Sequence, residues 1–324
     1  MKRKIIAVAA VLLGALTGCS SGNGDQQGAA AQSEGAQAPA AKFAVITHGS
    51  AGDAFWDVVK NGAEAAAKQY GVTVNYQSDG DPAKQSQLID QAVSEKVDGL
   101  VVSMANPEAL KESIAKAVAA NIPVITINSG ADKSKEYGAI THVGQSEEVA
   151  GQGAGEKLKE AGVTKLICVI HEAGNIGLDQ RCNGATQTLG GTVERLQVDV
   201  NDLAGVTSKI KAKLQSDSSF NGVLTLNPAV AIAARDAIKE LGSSVTLATF
   251  DLSGDVVSAI QNGEILFAVD QQQYLQGWLP ITFLYLYKQN LNTVGGGLPV
   301  HTGPGFVTKE NAAQVAQLAS GGTR

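Results

Sequence analysis

Few residues of this 324-residue sequence have the types and spacing that chemistry needs. Asp53 and Asp251 are the one obvious carboxylate pair, and two carboxylates flanking a glycosidic bond could serve as acid and as base or nucleophile. Neither a G-x-S-x-G nucleophile elbow nor an H-E-x-x-H zinc motif accompanies them. The four histidines and three cysteines show no CxxC or HxxxH spacing, so no metal site is expected. Gly151, Gly153 and Gly155 imitate part of a dinucleotide loop. They fall inside an apparent helix over Glu147 to Ala161, where glycines serve close helix packing, and no cofactor is expected. Asp199 to Asp202 fails as a calcium loop, with Ala204 at its sixth position and Ile210 at its twelfth, and reads as a solvated loop.

The elements that must position such residues alternate regularly. Runs rich in β-branched residues predict strands over Phe43 to His48, Val72 to Gln77, Gly99 to Met104, Pro123 to Asn128 and Ala139 to Val143. A second series follows at Lys165 to His171, Val193 to Val198, Gly222 to Asn227, Val245 to Asp251 and Leu266 to Gln271. Between them lie amphipathic stretches such as Phe55, Val58, Val59, Gly62, Ala66 and Tyr70, spaced for one face of a helix. Asp81 before Pro82 makes an N-cap and first-turn pair. Strand and helix in alternation build a parallel α/β sheet, and two series of similar size predict two doubly wound lobes. Open parallel sheets present the carboxyl ends of their strands to a ligand. His48, Asn227, Asp251 and Gln271 stand at such ends, where a polar side chain either faces the ligand or caps the next helix.

Charge and the amino terminus narrow the class further. The 25 basic and 31 acidic residues give a net charge of −6, with no long Lys/Arg run beyond the first positions, which argues against nucleic acid as a partner. Lys2, Arg3 and Lys4 precede an apolar run from Ile5 to Ala15 and then the tetrad Leu16, Thr17, Gly18, Cys19, as in a lipoprotein signal peptide over residues 1–18. That run is too short to span a bilayer. Cys19 is expected to carry the lipid that anchors the chain outside the cytoplasm. Residues 19–41, rich in Gly, Ala, Gln and Ser, are expected to form a flexible tether. Cys168 and Cys182 then remain as an even pair in an oxidising compartment, which predicts a disulfide.

The segments "FAVITHGSAGDAFWDVVKNGAEAAAKQYGV", "VDGLVVSMANPEAL", "NIPVITINSG", "LDQRCNGA", "VLTLNPAVAIAARDAIKELG", "TFDLSGDVVSAIQNGEI" and "FAVDQQQYLQG", in this order and together with the lipobox, resemble the type I periplasmic sugar-binding proteins of ABC importers. The resemblance runs from about Lys42 to Thr308. It implies that Phe55 and Trp56 occupy the place of an aromatic pair that stacks on the sugar, with core packing as the competing role of each. It implies ligand contacts for Asp53, which could equally cap its helix, and for Arg181, whose fork-shaped guanidinium donates to hydroxyls. Asn227, Asp251 and Gln271 match the family's Asn, Asp and Gln, and Ser103 lies where relatives carry a contacting Asn. His48 faces the same mouth. Where ribose-binding relatives carry an Asp-Arg pair after the fourth strand, this chain has Asn128 and Ser129, which moves the expected ligand from ribose toward another monosaccharide or a sugar alcohol.

The resemblance also implies crossings between lobes near Val143 to Gln145, Gln271 and His301, a three-segment hinge. The amino-terminal lobe then holds residues 42–145 and 272–301, and the carboxyl-terminal lobe residues 146–271 and 302–324. The expected protein is a monomeric, non-enzymatic solute-binding lipoprotein that closes over a small neutral polyol and passes it to an ABC permease. A ligand sensor signalling through a membrane receptor would use the same cleft. Replacement of Arg181 by Ala is expected to abolish binding with the fold intact.

Overall fold

A computed structural model describes residues 40–50 and 52–324. The signal peptide, Cys19 and all but the last two residues of the expected tether lie outside the described residues. Ala41, assigned to the tether above, is buried and accepts a hydrogen bond from the Thr73 N–H at 2.8 Å, so the fold starts before Lys42.

Ten strands and nine helices follow in alternation. The first half contains β1 (Lys42–Thr47), α1 (Ala54–Tyr70), β2 (Thr73–Ser78), α2 (Pro82–Ser94), β3 (Gly99–Ser103), α3 (Pro107–Ala119), β4 (Val124–Ile127), the short α4 (Ala131–Ser134) and β5 (Thr141–Gly144). The second contains α5 (Glu147–Glu160), β6 (Lys165–Ile170), α6 (Ile176–Leu189), β7 (Thr192–Gln197), α7 (Leu203–Ser216), β8 (Gly222–Thr225), α8 (Pro228–Glu240), β9 (Thr246–Phe250), α9 (Gly254–Gln261) and β10 (Phe267–Asp270). Every strand of the two predicted series is present, with ends shifted by a residue or two. Asp81, Asn106 and Asn227 each cap a helix whose first residue is proline, since a cap oxygen satisfies free N–H groups and proline lacks one.

The chain closes with α10 (Gln273–Asn290), β11 (Val300–His301), β12 (Gly305–Thr308) and α11 (Ala312–Ser320), none of which the sequence pattern predicted. The strands form two six-stranded sheets, ordered β11-β5-β4-β3-β1-β2 and β12-β10-β9-β8-β6-β7. All pairings are parallel except β10 with β12, an antiparallel edge on otherwise parallel sheets, and the two predicted parallel α/β lobes are present. Central strands are buried on both faces and read as continuous apolar runs, whereas the edge strands β2 and β7 keep half-exposed positions. Apolar layers pack on both faces of each sheet.

The chain passes from one sheet to the other after β5, after β10 and between β11 and β12. In each sheet the order reverses beside the first strand, between β1 and β3 and between β6 and β8, which opens a crevice at the carboxyl edge. Cys168 on β6 and Cys182 on α6 are joined as a disulfide, as their pairing predicted. No helix among the described residues is long and apolar enough to cross a membrane.

Candidate functional site

The two carboxyl edges face one another across a narrow cavity of about 30 Å³. Every expected ligand residue except Ser103 lines it. Ser103 ends β3 and points at its neighbour instead. Its Oγ accepts from the His48 backbone N–H at 3.0 Å and lies 2.7 Å from His48 Nδ1, so Ser103 orients the imidazole rather than reaching the cavity. Burial holds His48 below the usual histidine range and therefore neutral at pH 7.

From the first sheet, Asp53 caps α1 by accepting the Phe55 N–H at 3.0 Å, and the same residue lines the cavity. Burial pushes its carboxyl up to about 6, partly opposed by that N–H. Phe55 and Trp56 both belong to the core and both line the cavity, with ring centroids 4.9 Å apart in an edge-to-face pair. Trp56 lies flat over Gly49, where a Cβ would collide with the indole, and its edge meets His48 at 4.7 Å. Asn128 donates to Gln271 Oε1 at 3.1 Å, and Ser129 Oγ lies 3.0 Å from Asn128 Oδ1 and 3.1 Å from Asn175 Oδ1, bridging the two sheets.

From the second sheet, Arg181 enters on α6 and is fully buried. Its Nε and Nη2 donate to Glu147 at 2.6 and 3.1 Å, its Nη1 faces the Leu226 carbonyl at 3.5 Å and Asp251 at 3.9 Å, and its plane lies 4.6 Å from the Phe250 ring. Burial works against its charge, but Glu147, with Asp251 and Glu172, outweighs that and holds its pKa above the ordinary arginine value. This pairing corrects the expectation that Arg181→Ala leaves the fold untouched, because the substitution would strand a buried carboxylate. Asp251 accepts from Gln271 Nε2 at 2.7 Å, and burial pushes its carboxyl up to about 7 against the pull of Arg181. Asn227 Oδ1 accepts from the Ala229 and Val230 N–H groups as the α8 cap, and the residue still borders the cavity.

Asn128 and Asp251 follow corresponding strands, β4 and β9, and both adopt left-handed backbone, with φ of 62° and 69°. Asn and Asp tolerate that region better than other residues with a Cβ.

Several lining residues were missed by the sequence analysis. His171 and Glu172 follow β6, and Asn175 caps α6 while donating to Glu172 Oε2 at 2.6 Å and approaching His48 Nε2 at 3.4 Å. Leu178 and Leu226 complete the wall. The strand-end rule that singled out His48 applies equally to His171 and Glu172 and could have found them. Burial lowers His171 to about 4, so it too is neutral, and its Nδ1 has no partner among the described residues. Carboxylates accept, the guanidinium donates and amides do both, so the cavity can orient a ring of hydroxyls from every side. Among the described residues no cluster of His, Cys, Asp and Glu is arranged to hold a metal ion.

The profile of the periplasmic binding protein domain matches residues 43–291. Among curated proteins, the ribose import binding protein of Bacillus subtilis is 26% identical over 69% of this chain and 74% of its own length. The xylose/arabinose-binding protein of Sulfolobus acidocaldarius is 23% identical over 73% of this chain, which spans only 64% of that relative. Among solved structures, a carbohydrate transporter from Acidothermus cellulolyticus in complex with myo-inositol is 44% identical, with a TM-score of 0.87 over 88% of this chain and 100% of that one.

Proposed function

The chain belongs to the periplasmic binding protein domain family, and from that premise we propose that it captures a cyclic polyol, with myo-inositol the first candidate, for an ABC importer. The observation that carries this reading is the opposed pair at the cavity wall. Arg181 Nη1, a donor only, and Asp251, an acceptor when ionised, stand 3.9 Å apart, which suits two adjacent ring hydroxyls. Asp53, Glu172, Asn175 and Asn227 offer further partners around the ring, and Trp56 and Phe55 offer an apolar face to its C–H groups. The 44% identical inositol-bound protein supports the choice of a cyclitol over an open pentose.

Mechanistically, one lobe takes the ligand and the other closes over it. The lobes divide as residues 42–145 with 272–301 and 146–271 with 302–324. In this reading residues 1–18 direct export, Cys19 carries the lipid, and the monomer presents its loaded form to a membrane permease. This reading includes no turnover, in line with the relatives named above, which are binding proteins.

A thermal-shift and calorimetry series against inositols, pentoses, hexoses and linear alditols tests the reading. A ligand at a hundredfold its Kd stabilises the fold by about 2.7 kcal/mol, a readily measured rise in Tm. Selective stabilisation by an inositol supports it, and stabilisation by a pentose or hexose alone, or by none of the series, overturns the cyclitol assignment.

A further inference from the structure

We infer that Glu147 is a positioning residue that fixes the direction of Arg181 and ties it to the first crossover between the sheets; the ligand reading above enters only through the choice of probe. Glu147 does not line the cavity, and its side chain is 2% exposed. It can therefore reach a ligand only through Arg181. By accepting from Nε and Nη2 at 2.6 and 3.1 Å it occupies one edge of the guanidinium and leaves Nη1 toward Asp251. A bidentate pair fixes the plane of the fork as well as its place.

Glu147 is also the first residue of α5, directly after the crossover that leaves β5. Gln145, within that crossover, donates to Glu147 Oε2 at 2.8 Å. A continuous hydrogen-bonded line thus runs from the cavity wall through Arg181 and Glu147 to the segment that must bend when the lobes move.

A second grip acts on the backbone. A Cβ on Gly151 of α5 would collide with the carbonyl oxygen of Arg181 itself, and one on Gly184 of α6 would collide with the carbonyl of Glu148. α5 therefore holds Arg181 by its side chain and by its main chain at once. The first sheet repeats the plan: α10 leaves the second crossover and meets α1, which carries Phe55 and Trp56, through Gly277 against the Val59 carbonyl and Gly62 against the Tyr274 carbonyl. In both lobes the helix emerging from a crossover grips the helix that bears ligand-facing side chains.

Three variants separate positioning from general packing. Glu147→Gln places an amide N–H against the guanidinium and removes the bidentate pair. Gly151→Ala keeps every charge but displaces α6 at Arg181. Gly155→Ala, one turn further along the same helix contact, collides with Thr188 and the Ala185 carbonyl and serves as the packing control. Loss of one charge-assisted contact corresponds to roughly a tenfold or greater loss of affinity. With myo-inositol as probe, Glu147→Gln and Gly151→Ala are expected to weaken binding on that scale, while Gly155→Ala lowers Tm but leaves affinity within about twofold. Unchanged affinity in the first two, or an equal loss in all three, overturns the inference. Exchange of the Arg181 Nε–H, followed by ¹⁵N NMR without ligand, reads the same contact independently: it should be slow in the native protein and fast in Glu147→Gln. If the native protein binds no inositol, the ligand reading fails, and equal exchange rates in the two proteins would overturn the positioning role on its own.

Discussion

Asp251 should make ligand capture and fold stability move in opposite directions with pH. Its carboxyl is pushed up to about 7 by burial, with Glu147 and Asp270 adding to the rise and Arg181 and Gln271 opposing it. Hydroxyls of a bound polyol donate to the ionised form, so binding must expel the proton wherever Asp251 carries one. At pH 5, two decades below 7, the ionised fraction is about one in a hundred, and affinity should fall about hundredfold from its plateau above pH 8, about 2.7 kcal/mol. Asp53, pushed up to about 6, adds as much as about a further tenfold at pH 5 if the ligand uses its ionised form too. Stability runs the other way. With a folded pKa above the unfolded value of 3.8, the native state binds the extra proton between the two. The resulting stabilisation is complete below 3.8 and is lost as pH rises through about 7, on the order of 4 kcal/mol in all. The Tm without ligand should therefore fall from pH 5 to pH 8 while the ligand-induced rise in Tm grows. Calorimetry in buffers of different ionisation enthalpy should count close to one proton released per ligand near pH 6, and Asp251→Asn should abolish most of it. His171, lowered to about 4, stays neutral across this window, and burial lowers His48 as well. A flat affinity from pH 5 to pH 8 with no proton released would refute the reasoning.

Three other outcomes are expected. Arg181→Ala should abolish binding and also lower unfolding free energy by about 3–5 kcal/mol, because Glu147 is left buried and unpaired; chemical denaturation of Arg181→Met with Glu147→Leu should recover the stability but not the binding. Replacing Cys168 and Cys182 by alanine, a cross-link spanning 14 residues, should cost about 3 kcal/mol and lower Tm, an effect that reduction of the native protein should reproduce. Of the two tryptophans, Trp56 lines the cavity and Trp278 stacks on Tyr274 in α10, so ligand should change the intrinsic fluorescence of a Trp278→Phe protein and leave that of Trp56→Phe unaltered.

What the sequence reveals depends on how local the cause is. The strands of both sheets are legible because continuous apolar runs such as Leu100 to Val102 and Ile167 to Val169 need burial on both faces wherever they go. α10 is illegible because its apolar residues lie on all sides, with Pro280 inside, and so show no helical period. The antiparallel turn of β12 follows from a chain path between sheets that no local pattern encodes. In the site, the strand ends place His48, Asn227, Asp251 and Gln271 at the cavity wall, while the resemblance is what implies a ligand role for them. Ser103 shows the limit of that rule, since it still belongs to β3 and meets the His48 imidazole instead of the cavity. Glu147 has no local mark at all. It matters because α5 and α6 touch at Gly151 and Gly184, and glycines there pointed only to close packing of some kind.

The left-handed turns at Asn128 and Asp251 bear on how far this scaffold can be diverted to other cargo. A position at φ near 60° accepts Gly, Asn and Asp with little strain and penalises β-branched or bulky replacements whatever the ligand would prefer. Two of the wall positions therefore favour a narrow set of residues, although Lys96, Gln272 and Leu291 show that unbranched side chains also hold such a backbone in this chain. Variation toward new sugars, natural or engineered, should concentrate instead on Ser129, Glu172 and Asn175, where the backbone does not veto the choice.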